Sequence, residues 1–146
     1  MTLITHIRRT IESNRSAIAI IAGDRRWTYE ELDHAVQRVA SGLFKLGVRS
    51  GDRVALQLSN SPELVIAYYA CFQLGAISVP INNRFASPEI EYSINHSGCR
   101  VCISQSDLCS HLAPIQSALT TLEHVILIDG SVSSPAMVGG VILVLH

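Results

Sequence analysis

Two short apolar runs, Arg53–Leu58 and Ile77–Ile81, are each followed by Ser-Pro-Glu, at Ser61-Pro62-Glu63 and Ser87-Pro88-Glu89, and then by a segment that stops at Gly75 or Gly98. Proline in the first helical turn sacrifices only an N–H that would be unpaired anyway, and an acid there meets the positive end of the helix dipole. Glycine past the last turn supplies the left-handed residue on which helices end. The chain therefore reads as strand, helix, strand, helix, and the cycle goes on with a strand over Arg100–Ser104, a helix over Asp107–Leu119 and a strand over His124–Asp129. Strands joined through helices by short connections run parallel with right-handed crossovers, and such sheets carry helices on both faces. This alternation predicts an α/β fold with a mostly parallel sheet.

The residues before this cycle add a helix, a hairpin and a second helix. Leu3, Ile4, Ile7 and Ile11 have helical spacing within Leu3–Glu12, and Ala17–Ala22 and Arg26–Tyr29 flank Gly23-Asp24 as two strands of a small hairpin. Thr28 with Glu31 three residues on forms a capping box, and Leu32, Val36, Val39, Leu43 and Leu46 make one apolar stripe that Gly47 terminates. The helix from Pro62 to Leu74 is apolar on every face, so it is predicted to be buried between the sheet and further protein.

Composition excludes several function classes. With 48% hydrophobic and 16% charged residues and a formal net charge of -1, the chain is neither disordered nor a binder of nucleic acid through bulk charge. Its longest apolar stretches, Ala17–Ala22 and Val141–Leu145, fall far short of the ~20 residues that span a bilayer as a helix. Met1–Ile11 lacks the apolar centre of a secretory signal, which makes the cytoplasm the expected compartment. The 146 residues suffice for at most one domain. Lys45 is the sole lysine, so a mechanism that needs one has a single candidate.

Ligands of parallel α/β sheets bind outside the carboxyl ends of the strands, which directs attention to Ser59-Asn60-Ser61 and Asn82-Asn83-Arg84. Arg84 can pair with a phosphate or carboxylate in bidentate fashion, or it can brace the helix that follows. Neither G-x-x-x-x-G-K-[ST] nor G-x-G-x-x-G occurs, and Gly139-Gly140 has no cationic neighbour to neutralise a phosphate. Cys99 and Cys102, followed by Cys109 and His111, have the ligand types of a zinc site, but a strand over Arg100–Ser104 sends Cys99 and Cys102 to opposite faces. Buried thiols in a reducing compartment are the expected state of all four cysteines. His34 falls on a polar helix face, His96 lies near a helix end, and no catalytic triad can be assembled from spacing.

A set of motifs in fixed order carries a resemblance. Trp27-Thr28-Tyr29-Glu30-Glu31-Leu32, Gly42-Leu43 to Gly47-Val48 with Gly51-Asp52-Arg53-Val54-Ala55, Ser59-Asn60-Ser61-Pro62-Glu63, and Leu74-Gly75-Ala76 through Pro80-Ile81-Asn82-Asn83-Arg84 resemble the beginning of adenylate-forming enzymes, in the acyl-CoA synthetase or AMP-dependent ligase branch. The likeness extends over about Leu3 to Asp129 and includes Glu89-Ile90 to Ser97-Gly98 and Val101–Asp107. It implies the N-terminal portion of the large domain of an acyl-CoA synthetase-like fold. It also implies a family that uses ATP and magnesium to convert a carboxylic acid to an acyl-adenylate and then transfers the acyl group to coenzyme A.

The family's phosphate loop, ribose-holding acid, hinge and catalytic lysine have no counterpart here, and Lys45 does not match a family lysine site. No catalytic, cofactor-binding or metal residue is therefore carried over, and no cofactor is expected for this chain alone. The expected organisation is an incomplete N-terminal subdomain over residues 1–130 and a divergent tail over 131–146, the departure beginning near Gly130. A truncated product, an altered reading frame or a splice difference would each give such an ending. Two expectations follow: an enzyme-family segment inactive by itself, or a non-enzymatic module that associates with itself or with another protein through core surface left uncovered.

Overall fold

The computed structural model describes residues 3–128 and the backbone of residues 142–144. Helix α1 (Leu3–Asn14) precedes an antiparallel hairpin of β1 (Ile18–Ala22) and β2 (Arg25–Thr28). Then come α2 (Tyr29–Lys45), β3 (Arg53–Gln57), α3 (Pro62–Leu74), β4 (Ile77–Pro80), α4 (Ser87–Ser97), β5 (Val101–Ser104), β6 (His124–Leu127) and β7 (Ile142–Val144). Strands β3 to β7 form one sheet in the order β4-β3-β5-β6-β7, with every neighbouring pair parallel.

The expected capping box exists: the Thr28 hydroxyl accepts from Glu31 N at 3.2 Å, and Glu31 accepts from Thr28 N at 2.8 Å. At the start of α3, Ser61 Oγ accepts from Leu64 N at 3.3 Å and Pro62 occupies the first turn. Helices α3 and α4 both end on glycines in the left-handed region, Gly75 (φ 69°) and Gly98 (φ 68°). Gly98 has a second reason to be glycine, since a Cβ there would lie 2.6 Å from Arg53 Nη2.

Each central strand alternates between two cores. Val54, Leu56, Val101, Ile103 and Ile126 pack with the stripe of α2 (Leu32, Val36, Val39, Leu43) and with Ile66, Ala67, Ala70 and Cys71 of α3. Ala55, Cys102, Val125 and Leu127 face the other way, onto Ile90 and Ile94 of α4 and onto Leu112, Ile115 and Leu119. Helices do cover both faces. Burying a side chain such as Leu43 or Ile103, both 0% exposed, contributes about 1.5–3 kcal/mol relative to leaving it in water. Helix α3 has no polar stripe: Leu64, Val65, Tyr68 and Tyr69 on its outer side are half-buried against the first core.

One predicted helix is absent. The chain between β5 and β6 winds as two 3-10 turns, Cys109–His111 and Ala113–Ala118, instead of a continuous helix over Asp107–Leu119. Pro114 explains the difference, because inside an α-helix its ring would clash with the Ser110 carbonyl and its nitrogen could not donate. The apolar stripe survives the change, with Leu112, Ile115 and Leu119 all buried.

For the tail, Ser131–His146, the backbone of residues 142–144 pairs in parallel with β6 as an edge strand, Val125 opposite Ile142. The rest of that stretch, and the boundary near Gly130, lie outside the described residues.

Candidate functional site

The crossovers fix the topological switch point of the sheet, the place at which parallel α/β folds bind their ligands. From β3 the chain leaves through α3 on one face to β4 at the sheet edge; from β4 it returns through α4 on the opposite face to β5, on the far side of β3. The chain therefore leaves the carboxyl ends of the neighbouring strands β3 and β5 in opposite directions, which makes this pair the switch point of the sheet.

Both loops singled out in the sequence lie at this end. Ser59 N donates to Gln105 Oε1 at 2.7 Å, and Gln105 Nε2 donates to Asp107 Oδ1 at 2.7 Å, so the loop after β3 is tied to the loop after β5. Beneath this bridge Ser104 Oγ donates to Gln57 Oε1 at 2.9 Å, and these are the buried polar side chains among the described residues. Asn83 Nδ2 donates to the Leu58 carbonyl at 3.0 Å, which joins the loop after β4 to the same seam, while Asn83 Oδ1 is buried without a partner. Asn82 Oδ1 accepts from Arg84 N at 3.0 Å and shapes the turn. Arg84 itself is exposed, and its guanidinium forms no hydrogen bond or ion pair among the described residues, so it does not brace the following helix.

Sequence motifs do not point to Gln57, Ser104, Gln105 or Asp107 as site residues. A signal for two of them was present: strands buried on both faces of a parallel sheet are normally continuous apolar runs, and Gln57 and Ser104 interrupt two such runs at their ends. Lys45 sits exposed in the last turn of α2, as a cation suited to the helix dipole.

At the opposite end of the sheet the polar contacts are clamps. Arg100 grips Glu123 through two bonds of 2.9 Å and reaches Asp52 at 3.1 Å, while Arg53 donates to the Ser97 and Gly98 carbonyls at 2.8 and 3.1 Å. The Arg100 guanidinium holds the Glu123 carboxyl below its ordinary range.

The cysteines are divided between the two cores, Cys71 in the first and Cys99 and Cys102 in the second. Cys99 lies in the turn before β5, so strand alternation does not apply to it, and it packs in the same core as Cys102 rather than on the opposite face. Among the described residues no group of three His, Cys, Asp or Glu side chains is placed to hold an ion. Burial pushes the Cys71 thiol up to about 12 and raises those of Cys99 and Cys102, leaving them protonated small apolar side chains. His34 is exposed on α2, and exposed His96 stacks on Tyr92 with ring centroids 5.1 Å apart.

The topology thus defines a parallel α/β module whose strand carboxyl ends are bridged by amides and hydroxyls, with the exposed Arg84 beside them. The particular family follows from comparison: the model of the AMP-binding enzymes matches residues 7–139, and the chain belongs to that family. It is 38% identical over 96 residues to a long-chain-fatty-acid–CoA ligase, FadD13, of Mycobacterium tuberculosis, covering 66% of this chain and 19% of the relative. It is 42% identical over 87 residues to a feruloyl-CoA synthase of an Amycolatopsis species, covering 60% of this chain and 18% of that protein. Among solved structures, the anthranilate–CoA ligase AuaEII in complex with anthranoyl-AMP superposes with a TM-score of 0.83 at 30% identity, over 89% of this chain and 25% of the ligase. The chain spans about a fifth of the length of these curated relatives.

Proposed function

We propose that residues 1–130 form the opening, incomplete subdomain of a carboxylic acid–CoA ligase, followed by a divergent tail over 131–146, and that the 146-residue chain alone does not form acyl-adenylates. The observation that carries this reading is a frame without machinery. The fold matches an acyl-CoA ligase bound to an adenylate over only 25% of that ligase, and the sequence has no glycine-rich phosphate loop.

The described residues do not fit ATP with magnesium. Among the described residues no three His, Cys, Asp or Glu side chains converge, and the N-termini of α3 and α4 are already occupied by Ser61 and by Glu89, which accepts from Ala86 N at 2.6 Å. ATP, magnesium and coenzyme A belong, in this reading, to the complete family enzyme. What these residues supply is position: the seam of Gln57, Ser104 and Gln105 sets the loops at the carboxyl end of the sheet on which a remainder of the domain would build. We place the chain in the cytoplasm; in support, no described helix is long and apolar enough to cross a membrane.

The test is ATP–pyrophosphate exchange by the purified chain with magnesium and a panel of fatty and aromatic acids. Exchange at the level of buffer is expected, and acid-dependent exchange would overturn the reading.

A second reading rests on the open edge of the sheet. Among the described residues strand β4 pairs only with β3, and it exposes Ile77 to 53%, an edge suited to association with a second chain. Size-exclusion chromatography with light scattering distinguishes a dimer from the monomer that would sink it.

A further inference from the structure

We propose that the slot between β2, α2 and α3 binds a small aryl carboxylate, its ring against Trp27 and its carboxylate toward Arg38. The slot has a volume of about 200 Å³ and apolar walls that include Trp27, Val39, Ile66 and Ile128. An apolar cavity of roughly 150 Å³ is enough to take up benzene, so the space accommodates one aromatic ring. Trp27 and Arg38 also line an adjoining hollow of about 380 Å³, where Arg25, Arg26, Glu31 and His34 form the rest of the wall.

The charges around the opening favour one anion. Arg25, Arg26 and Arg38 face two carboxylates, and both are engaged: Glu31 accepts from Thr28 N at 2.8 Å and Glu63 from Arg25 at 2.7 Å. Arg25 also lies over the Trp27 ring at 5.3 Å, so its position is held from two sides. Arg26 and Arg38 are exposed and form no hydrogen bond or ion pair among the described residues. Three guanidinium groups against two satisfied carboxylates leave one positive charge at the mouth of an apolar slot. A guanidinium with free N–H groups matches a carboxylate in bidentate geometry, whereas a neutral ring of the same shape gains only the apolar wall. The slot uses no adenylation residue, so this site stands or falls separately from the ligase reading.

Trp27 is the only tryptophan, which gives the full chain a single indole N–H resonance located in the site itself. Titration with benzoate is expected to shift that resonance saturably, with benzamide binding roughly tenfold more weakly, a difference of about 1.4 kcal/mol. Arg38→Gln is expected to lower benzoate affinity by a similar factor and leave benzamide unchanged, while Arg8→Gln on α1 leaves both unchanged. An indole resonance indifferent to benzoate, equal binding of benzamide, or an Arg38→Gln chain that keeps full benzoate affinity would each overturn the proposal.

Discussion

Removing the Ser104 hydroxyl should cost more than its own hydrogen bond, because of what it leaves behind. Ser104 is 0% exposed and Gln57 1% exposed, and the bond from Ser104 Oγ to Gln57 Oε1 measures 2.9 Å. A made hydrogen bond contributes about 0.5–1.5 kcal/mol net, but a buried acceptor stranded without a donor costs about 1–3 kcal/mol. Ser104→Ala deletes little volume and strands the Gln57 carbonyl oxygen, so a loss of about 2 kcal/mol is expected. Gln57→Leu alone strands the hydroxyl, which keeps the Gln105 carbonyl at 3.4 Å as a weaker alternative, and should cost about 1 kcal/mol. The double variant removes both polar groups together and should be nearer to wild type than the sum, with a coupling energy of about 1–2 kcal/mol. Urea denaturation of the four proteins reads these differences as midpoint shifts at constant slope. Additive losses, or a Ser104→Ala chain as stable as wild type, would refute the claim that the seam is a satisfied buried network.

Other parts of the structure make separate predictions. Arg100 holds the Glu123 carboxyl below its ordinary range, so this contribution is present above the unfolded carboxyl's pKa of about 4.3 and is lost as pH falls through the lower folded value. Because the Glu123 side chain is 47% exposed, Glu123→Gln should cost less than about 1 kcal/mol at pH 7, and its stability curve should approach wild type's only as pH falls below that lowered folded value. Gly98→Ala forces a Cβ into the left-handed region and against Arg53, and should lower stability by about 1–2 kcal/mol in thermal melts. Of the four cysteines, half-buried Cys109 alone should react quickly with a disulfide reagent in the native chain, the buried Cys71, Cys99 and Cys102 following on unfolding. Mass spectrometry of the labelled chain identifies the fast thiol, and rapid labelling of Cys102 would contradict the packing described.

What could be read from the sequence were local signals that agree with the tertiary structure. The Thr28–Glu31 box, the prolines at 62 and 88, and the glycines at 75 and 98 placed α2, α3 and α4 to within a residue or two, because each acts on the backbone beside it. Alternating strand and helix then gave the parallel sheet. Over 107–119 the spacing of apolar residues is satisfied by 3-10 turns, and Pro114 counts for more than the stripe. Strand alternation does not reach Cys99, which precedes β5; the strand starts at Val101, one residue later than the expected Arg100. The seam of Gln57, Ser104 and Gln105 depends on which strands become neighbours, β3 beside β5 with β4 outside, and no local pattern encodes that order. The slot at Trp27 likewise joins residues from the hairpin, α2, α3 and the end of β6.

The central claim is that these residues supply a frame and that the chemistry of the family resides elsewhere. A chimera tests it most directly: residues 7–128 replace the matching segment of the mycobacterial long-chain-fatty-acid–CoA ligase, and pyrophosphate exchange is measured on chimeric protein that melts cooperatively. A frame should be exchangeable, and the chimera is expected to keep exchange within roughly tenfold of its parent, equivalent to about 1.4 kcal/mol at the transition state. A cooperatively folded chimera that binds ATP yet shows no exchange would contradict the claim, because the replaced residues would then have carried the chemistry.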